Sequence, residues 1–297
     1  MSNSNNKNSF AVFGLLFGAL CWGIIWYPYR LMAEAGVSGV ASSFYTYCIA
    51  AVIAGMYFSK HWRGLLTQPK SIFWLSLAAG WTNLSYVLAV IDGEVMRVML
   101  LFYLSPLWTL LLARFWLKEP ITQVGFISIV VALIGAYIML AGPLGEVANH
   151  LPVPRNTAEW LALSSGIGFS LTNVITRKSS HLSLRAKSFA VWFGVIGVAL
   201  VFSPFLGNTF PAPNFFSLYH WLVMGMIALL LMAATLLVQF GLTVLTAIRA
   251  SVLFLFELVV AAFASYYLAH EAMTLNEWIG GSLIVMAALT AALNHRD

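Results

Sequence analysis

The chain has 297 residues, of which 61% are hydrophobic and only 8% are charged, against roughly 25% charged in an average soluble domain. So little charge cannot build the hydrated shell of a soluble protein of this size, and the mean hydropathy of +0.88 agrees; soluble enzymes, disordered scaffolds and nucleic-acid binders are excluded. The two cysteines, Cys21 and Cys48, both sit inside apolar runs, which excludes a disulfide framework.

The composition is that of an integral membrane protein, and the apolar runs are too long and continuous for the alternating strands of a β-barrel. With about 20 apolar residues needed per crossing, the chain divides into ten expected spans: Phe10–Leu31, Ala41–Phe58, Ser71–Ile91, Val98–Leu117, Thr122–Leu140, Ala158–Thr176, Ser188–Phe205, Tyr219–Thr243, Ala250–Ala269 and Leu275–Leu293. An all-α bundle is therefore expected. The first span, although Ala33-Glu34-Ala35 imitates a cleavage site, is longer than a signal h-region and carries Trp22, Trp26, Tyr27, Pro28, Tyr29 and Arg30; it is expected to be retained.

Lysine and arginine set the orientation. With the N-terminus inside, one side of the membrane receives Lys7, Lys60, Arg63, Lys70, Arg114, Lys118, Arg177, Lys178, Arg185, Lys187, Arg249 and Arg296, and the other only Arg30, Arg97 and Arg155. That asymmetry places both termini in the cytoplasm. It also accounts for the net charge of +5 and the pI near 9.3 without a nucleic-acid partner.

The polar loop Gly142–Asn156, with Pro143, Pro152 and Pro154, divides the chain near its middle. The expected organisation is a polar N-terminus (1–9), a first five-helix repeat (10–141), a periplasmic linker (142–156) and a second five-helix repeat (157–297). An offset of 152 residues lays Arg97 on Arg249, Leu101-Phe102 on Leu253-Phe254, Glu119 on Glu271, Thr122 on Thr274 and Ile127 on Ile279. An offset of 147 lays Arg30 on Arg177 and Trp74-Leu75 on Trp221-Leu222. Five spans is an odd number, so the repeats are expected to be inverted across the bilayer. Inverted repeats characterise secondary transporters, with a solute site near the midplane.

The sequence resembles the drug/metabolite transporter superfamily, specifically its ten-helix bacterial EamA-type members. The resemblance is carried by Phe17-Gly18-Ala19-Leu20-Cys21-Trp22-Gly23, Leu104-Ser105-Pro106-Leu107 and Leu117-Lys118-Glu119 in the first half. In the second half it is carried by Arg249-Ala250-Ser251-Val252-Leu253, Glu257-Leu258-Val259-Val260-Ala261-Ala262, His270-Glu271 and Ile279-Gly280-Gly281-Ser282-Leu283-Ile284. It implies an inner-membrane exporter of metabolites, amino acids or drugs that works by alternating access. The chain departs from the family pattern at Leu258, where proline usually follows the glutamate; Pro106 retains it in the first half, so a kink is expected in span four and is in question in span nine.

Glu257 is the sharpest candidate. It stands eight residues into span nine, where an ionised acid costs about 2.5–3.5 kcal/mol on insertion scales, and Arg249, the nearest base along the chain, is two turns away. It is expected to bind a solute amine or a proton and to couple the two; the alternative is an acid hydrogen-bonded to neighbouring helices. Trp22, Trp26, Trp81, Tyr86, Tyr103 and Trp108 are deep enough to stack on a solute or cradle a cation. Trp62, Trp74, Trp160, Tyr219 and Trp221 fall at span ends and read as interfacial belts. Among intramembrane polar groups, Asn83, Asn173 and Gln239 carry the largest heads and are candidates for orienting the solute, against a role as interhelical glue.

Arg30 and Arg177 are expected to snorkel to the headgroups, with gating as the alternative. Gly14 and Gly18 read as packing positions. No catalytic motif is complete: the second histidine of a zincin pair would fall on Thr274, and His61, His150, His181, His220, His270 and His295 lie at loops or span ends. No metal or cofactor is expected. The expected partners are a small organic solute, protons and membrane lipid. The expected function is export of an amino acid, an aromatic one especially, or of an organic cation; uptake or uniport by the same fold, a passive channel and an intramembrane enzyme are the alternatives.

Overall fold

The structure is a computed structural model that describes residues 2–58, 68–92, 95–120, 122–140, 154, 156–206, 210–268 and 275–293. No strand occurs among the described residues. The helices are α1 (Ser2–Glu34), α2 (Gly39–Phe58), α3 (Pro69–Asp92), α4 (Val95–Phe102), α5 (Ser105–Leu112), α6 (Gln123–Leu140), α7 (Thr157–Lys178), α8 (Leu184–Phe202), α9 (Leu218–Val244), α10 (Ala247–Phe254), α11 (Phe256–Leu268) and α12 (Leu275–Leu293).

Every expected span falls on helix, the fourth on α4 and α5 and the ninth on α10 and α11. Among the described residues six stretches are by themselves long and apolar enough to cross a bilayer: Asn6–Glu34, Gly39–Met56, Pro69–Asp92, Leu184–Phe205, Leu218–Val244 and Ala247–Leu268. Shorter apolar helices run over Trp108–Leu117, Gln123–Gly135 and Trp278–Ala287. Most of the expected linker Gly142–Asn156 lies outside the described residues, as do His61, His150, His270, His295 and Glu271.

Two spans are interrupted midway. In span four the ladder breaks at Tyr103 and Leu104, just before Pro106, which has no N–H to offer. In span nine it breaks at Leu255 without a proline. There the chain tightens instead, with Leu255 N–H donating to Val252 O (3.1 Å) and Leu258 N–H to Leu255 O (3.2 Å), the i to i−3 pattern of a 3₁₀ turn. Span nine is thus interrupted by a 3₁₀ turn without the proline that Leu258 replaces.

The packing of one half mirrors the other. α1 packs on α9, α10 and α11, while α7 packs on α3, α4 and α5. α2 lies against α8 and α9, α3 against α8, and α6 pairs with α12. Each half therefore lays its first helix against the broken span of the other half. The close crossings use glycine: Gly14 and Gly18 face Leu237 and Val238 on α9, which confirms their packing role. Trp74, Trp160 and Tyr219 point out of the bundle at helix ends, as interfacial residues do; Trp221 instead packs on Phe216 (5.3 Å) and Tyr45 (6.0 Å).

Candidate functional site

Glu257 opens the first turn of α11, immediately after the break, and is 4% exposed. A carboxylate is well placed at a helix N-terminus, where N–H groups without helical partners point at it. Close to it stand Tyr86 of α3 and Tyr103, the residue at the break of span four. The Tyr103 hydroxyl approaches the carboxyl but stops short of a formed hydrogen bond.

Aromatic rings surround this centre. Trp22 meets Phe254 at 5.4 Å and Phe169 edge-on at 6.0 Å. Phe169 meets Phe254 at 5.0 Å and Phe102 at 5.5 Å, and Phe102 contacts Tyr86 (5.0 Å) and Tyr103 (5.4 Å). Such pairs contribute about 0.5–1.5 kcal/mol each beyond the area they bury, so the cluster is rigid as well as apolar. Its membership follows the repeat. At the 152-residue offset Phe102 falls on Phe254 and Ser105 on Glu257; at the 147-residue offset Trp22 falls on Phe169 and Gly23 on Ser170.

The contacts follow the same correspondence. A Cβ on Gly23 would lie 2.8 Å from the Glu257 carbonyl oxygen, so only glycine lets α1 approach the break this closely. Its counterpart, Ser170, donates a hydrogen bond to the Ser105 carbonyl at 2.7 Å. The centre is thus built from one broken span of each half, each clamped by the first helix of the other half.

The profile of the EamA-like transporter family matches residues 9–141 and, a second time, residues 156–293. The chain belongs to the EamA-like transporter family. It is accordingly a multi-pass membrane transporter of the drug/metabolite superfamily, built from two repeats, in a family of transporters and not of enzymes. A crystal structure of a protein with 17% identity superposes with a TM-score of 0.74, covering 97% of this chain and 99% of that one, and shows the shared fold. No curated protein matches the sequence.

The remaining sequence candidates of this EamA-like chain are distributed as follows. Trp26 lies edge-on to Tyr27 (5.7 Å) and under the Arg30 guanidinium (5.6 Å). Trp81 donates from Nε1 to Ser164 Oγ (3.2 Å) and packs on Phe202, joining α3 to α7 and α8. Asn83 donates to the Tyr47 hydroxyl (3.0 Å), and its Oδ1 is buried without a partner. Trp108, on α5, has a buried indole N–H with no partner. Phe102, Phe169 and Phe254, which the sequence reading did not single out, belong to the centre.

Asn173 and Gln239 form a second polar region, toward the end of the bundle that carries Lys118, Arg177 and Lys178. Asn173 is fully buried with neither amide atom hydrogen-bonded, and Gln239 Oε1 is likewise without a partner. One turn further along the same helices, Arg177 donates from Nη1 to the carbonyls of Thr243 (2.7 Å) and Val244 (3.2 Å), which end α9. Its Nε meets Glu119 Oε1 at 3.4 Å, and Glu119 Oε2 accepts from Ala247 N–H at 3.2 Å, at the start of α10. Cation and anion therefore cap helix ends of complementary charge.

Arg177 is thus engaged inside the bundle and does not snorkel; Arg30 is the exposed one of the pair. Glu119 reaches the cluster because a π-helical turn, Ala113–Leu117, is followed by Lys118 at φ 56°, which reverses the chain. Lys187, counted from sequence among loop cations, is also inside. It is 0% exposed, and its Nζ donates to Thr176 O (3.1 Å) and Thr243 Oγ1 (2.8 Å). Its Cα sits in the first turn of α8, and the long stem carries the ammonium inward between α7 and α9.

Proposed function

We propose that the chain is a secondary carrier of the inner membrane that exports a small organic solute by alternating access. The carrying observation is the position of Glu257. It begins a half-helix in an interrupted span, beside Tyr86 and Tyr103 and inside a ring cluster drawn from both halves. Discontinuous helices at a repeat interface are where transporters place solute and coupling-ion sites. In this reading the chain crosses the membrane ten times, the repeats (10–141 and 157–297) are inverted about the linker 142–156, and the basic end and both termini face the cytoplasm.

A lone carboxylate among rings suits an ammonium group on an aromatic body: an amino acid, an aromatic one especially, or an organic cation. Trp22 would stack on the solute, Glu257 would bind the amine or exchange a proton for it, and Tyr103 would orient the carboxyl. Trp26, Trp81 and Asn83 would act outside the centre, as supports of the helices that form it.

The test is solute flux in proteoliposomes with and without a pH gradient, wild type beside Glu257→Gln, over a panel of aromatic and aliphatic amino acids and quaternary ammonium compounds. A charge-assisted contact contributes about 1.5–3 kcal/mol, so Glu257→Gln is expected to lower flux about 10- to 100-fold and to abolish its response to the gradient. Equal flux from wild type and variant would remove Glu257 from the mechanism. A companion variant, Trp22→Ala, is expected to raise the KM for an aromatic solute while sparing an aliphatic one.

A further inference from the structure

Phe169, Asn173 and Arg177 lie four residues apart on one face of α7. At 1.5 Å per residue each step is about 6 Å along the axis, so this face runs from the ring cluster to the Arg177–Glu119 pair. Between those points the bundle holds a concentration of buried polar groups that the Glu257 centre does not use. Lys187 has three N–H donors and uses two, on neutral oxygens. Asn173 leaves both amide atoms unsatisfied, and Gln239 Oε1 and Thr176 Oγ1 are also buried without partners. In this cluster Arg177 has Glu119 as its acid, whereas Lys187 has no carboxylate among its hydrogen-bond partners.

We propose that Lys187, Asn173 and Thr176 form a second solute site, between the ring cluster and the basic end, that takes a carboxylate group. If these side chains only tied helices together, their polar atoms would be bonded to the neighbouring helices, as Ser170 is to Ser105. An unpaired buried amide instead costs about 1–3 kcal/mol. A carboxylate offsets the donor part of that cost: its two oxygens accept from the free Lys187 N–H, the Asn173 Nδ2–H and the Thr176 hydroxyl, and its charge neutralises Lys187. Phe169, one turn away, belongs to the ring cluster, so a solute whose carboxylate lies a few bonds from an aromatic ring spans both features. The site deepens the carrier reading by favouring a carboxylate-bearing solute over a simple organic cation, but its binding chemistry is measurable independently of flux.

The experiment compares binding of L-phenylalanine and L-phenylalaninamide, which differ only in the carboxylate, to the purified full chain by calorimetry. Wild type is expected to bind the acid at least tenfold more tightly. Lys187→Met is expected to reduce the ratio to near one while leaving the amide's affinity intact, which also shows that the variant is folded. Lys187→Arg is expected to keep the preference, and Asn173→Ala, a smaller change to the core, to weaken it several-fold. Glu257→Gln is expected to weaken both ligands equally and leave the ratio unchanged. Failure of the Glu257 role and failure of this site are therefore separable. Equal affinity for acid and amide, binding of neither, or a preference that survives Lys187→Met would each overturn the proposal.

Discussion

Gly194→Leu is expected to prevent accumulation of the folded chain. Gly194 of α8 and Gly80 of α3 form the crossing of the two helices, and a Cβ on Gly194 would fall onto the Ser76 backbone carbonyl. A Cβ on Gly80 would in turn fall onto the Gly194 carbonyl. Both obstacles are backbone atoms in the middle of helices, so neither can rotate aside as a side chain would. Overpacking in a well-packed core costs typically about 1–3 kcal/mol, and here helix separation is the only relief, which also pulls α3 and its Tyr86 away from Glu257. The control is Gly197→Leu, three residues on, where a Cβ meets nothing within 4 Å. Size-exclusion profiles and melting temperatures of the two variants give the answer; a Gly194→Leu protein that elutes and melts like wild type would show that the crossing is looser than described.

Arg177→Met is expected to open the basic end. The guanidinium holds the last carbonyls of α9 and pairs with Glu119, which in turn holds the first N–H of α10. Its loss removes two charge-assisted bonds and one ion pair. The Arg177 side chain is 30% exposed, so the ion pair itself contributes little, and the bonds to Thr243 and Val244 dominate, at about 1.5–3 kcal/mol each. Removing them moves a closed–open equilibrium by at least about tenfold. The readout is the rate at which a membrane-impermeant maleimide labels Gln239→Cys in a background of Cys21→Ala and Cys48→Ala. That position is buried and is expected to label at least tenfold faster in Arg177→Met. An unchanged rate would show that Arg177 does not hold this end together.

The bundle was legible because hydrophobic length is a one-dimensional signal: each expected span coincides with helix, even where a helix is interrupted. Glu257 was legible for the same reason, as a charge inside an apolar run. Its neighbours were not all so plain. In a chain that is 61% hydrophobic, phenylalanine gives no contrast, and Phe102, Phe169 and Phe254 carry no mark except that they fall on aromatic positions of the other half. The match of Leu101-Phe102 with Leu253-Phe254 held that information and read only as a repeat. Trp26 and Trp81 stood out more, but aromatic character does not record which face of a helix is turned inward. The inward reach of Lys187 and Arg177 was not legible because counting charges locates Cα atoms, whereas a lysine or arginine head lies several bonds away and can turn toward the interior as readily as toward water.

The two broken spans differ in one respect that follows from the serine at position 105. In a carrier whose halves trade places between its two facings, identical halves would give two conformations of equal energy, related by a two-fold rotation about an axis in the membrane plane. Here one break presents a carboxylate and the other a hydroxyl whose carbonyl is already bound by Ser170. The degeneracy is lifted at the centre of the molecule. In the alternating-access carrier proposed above, the resting population of the empty protein would therefore tilt toward one facing, and loading or discharging Glu257 would change the tilt.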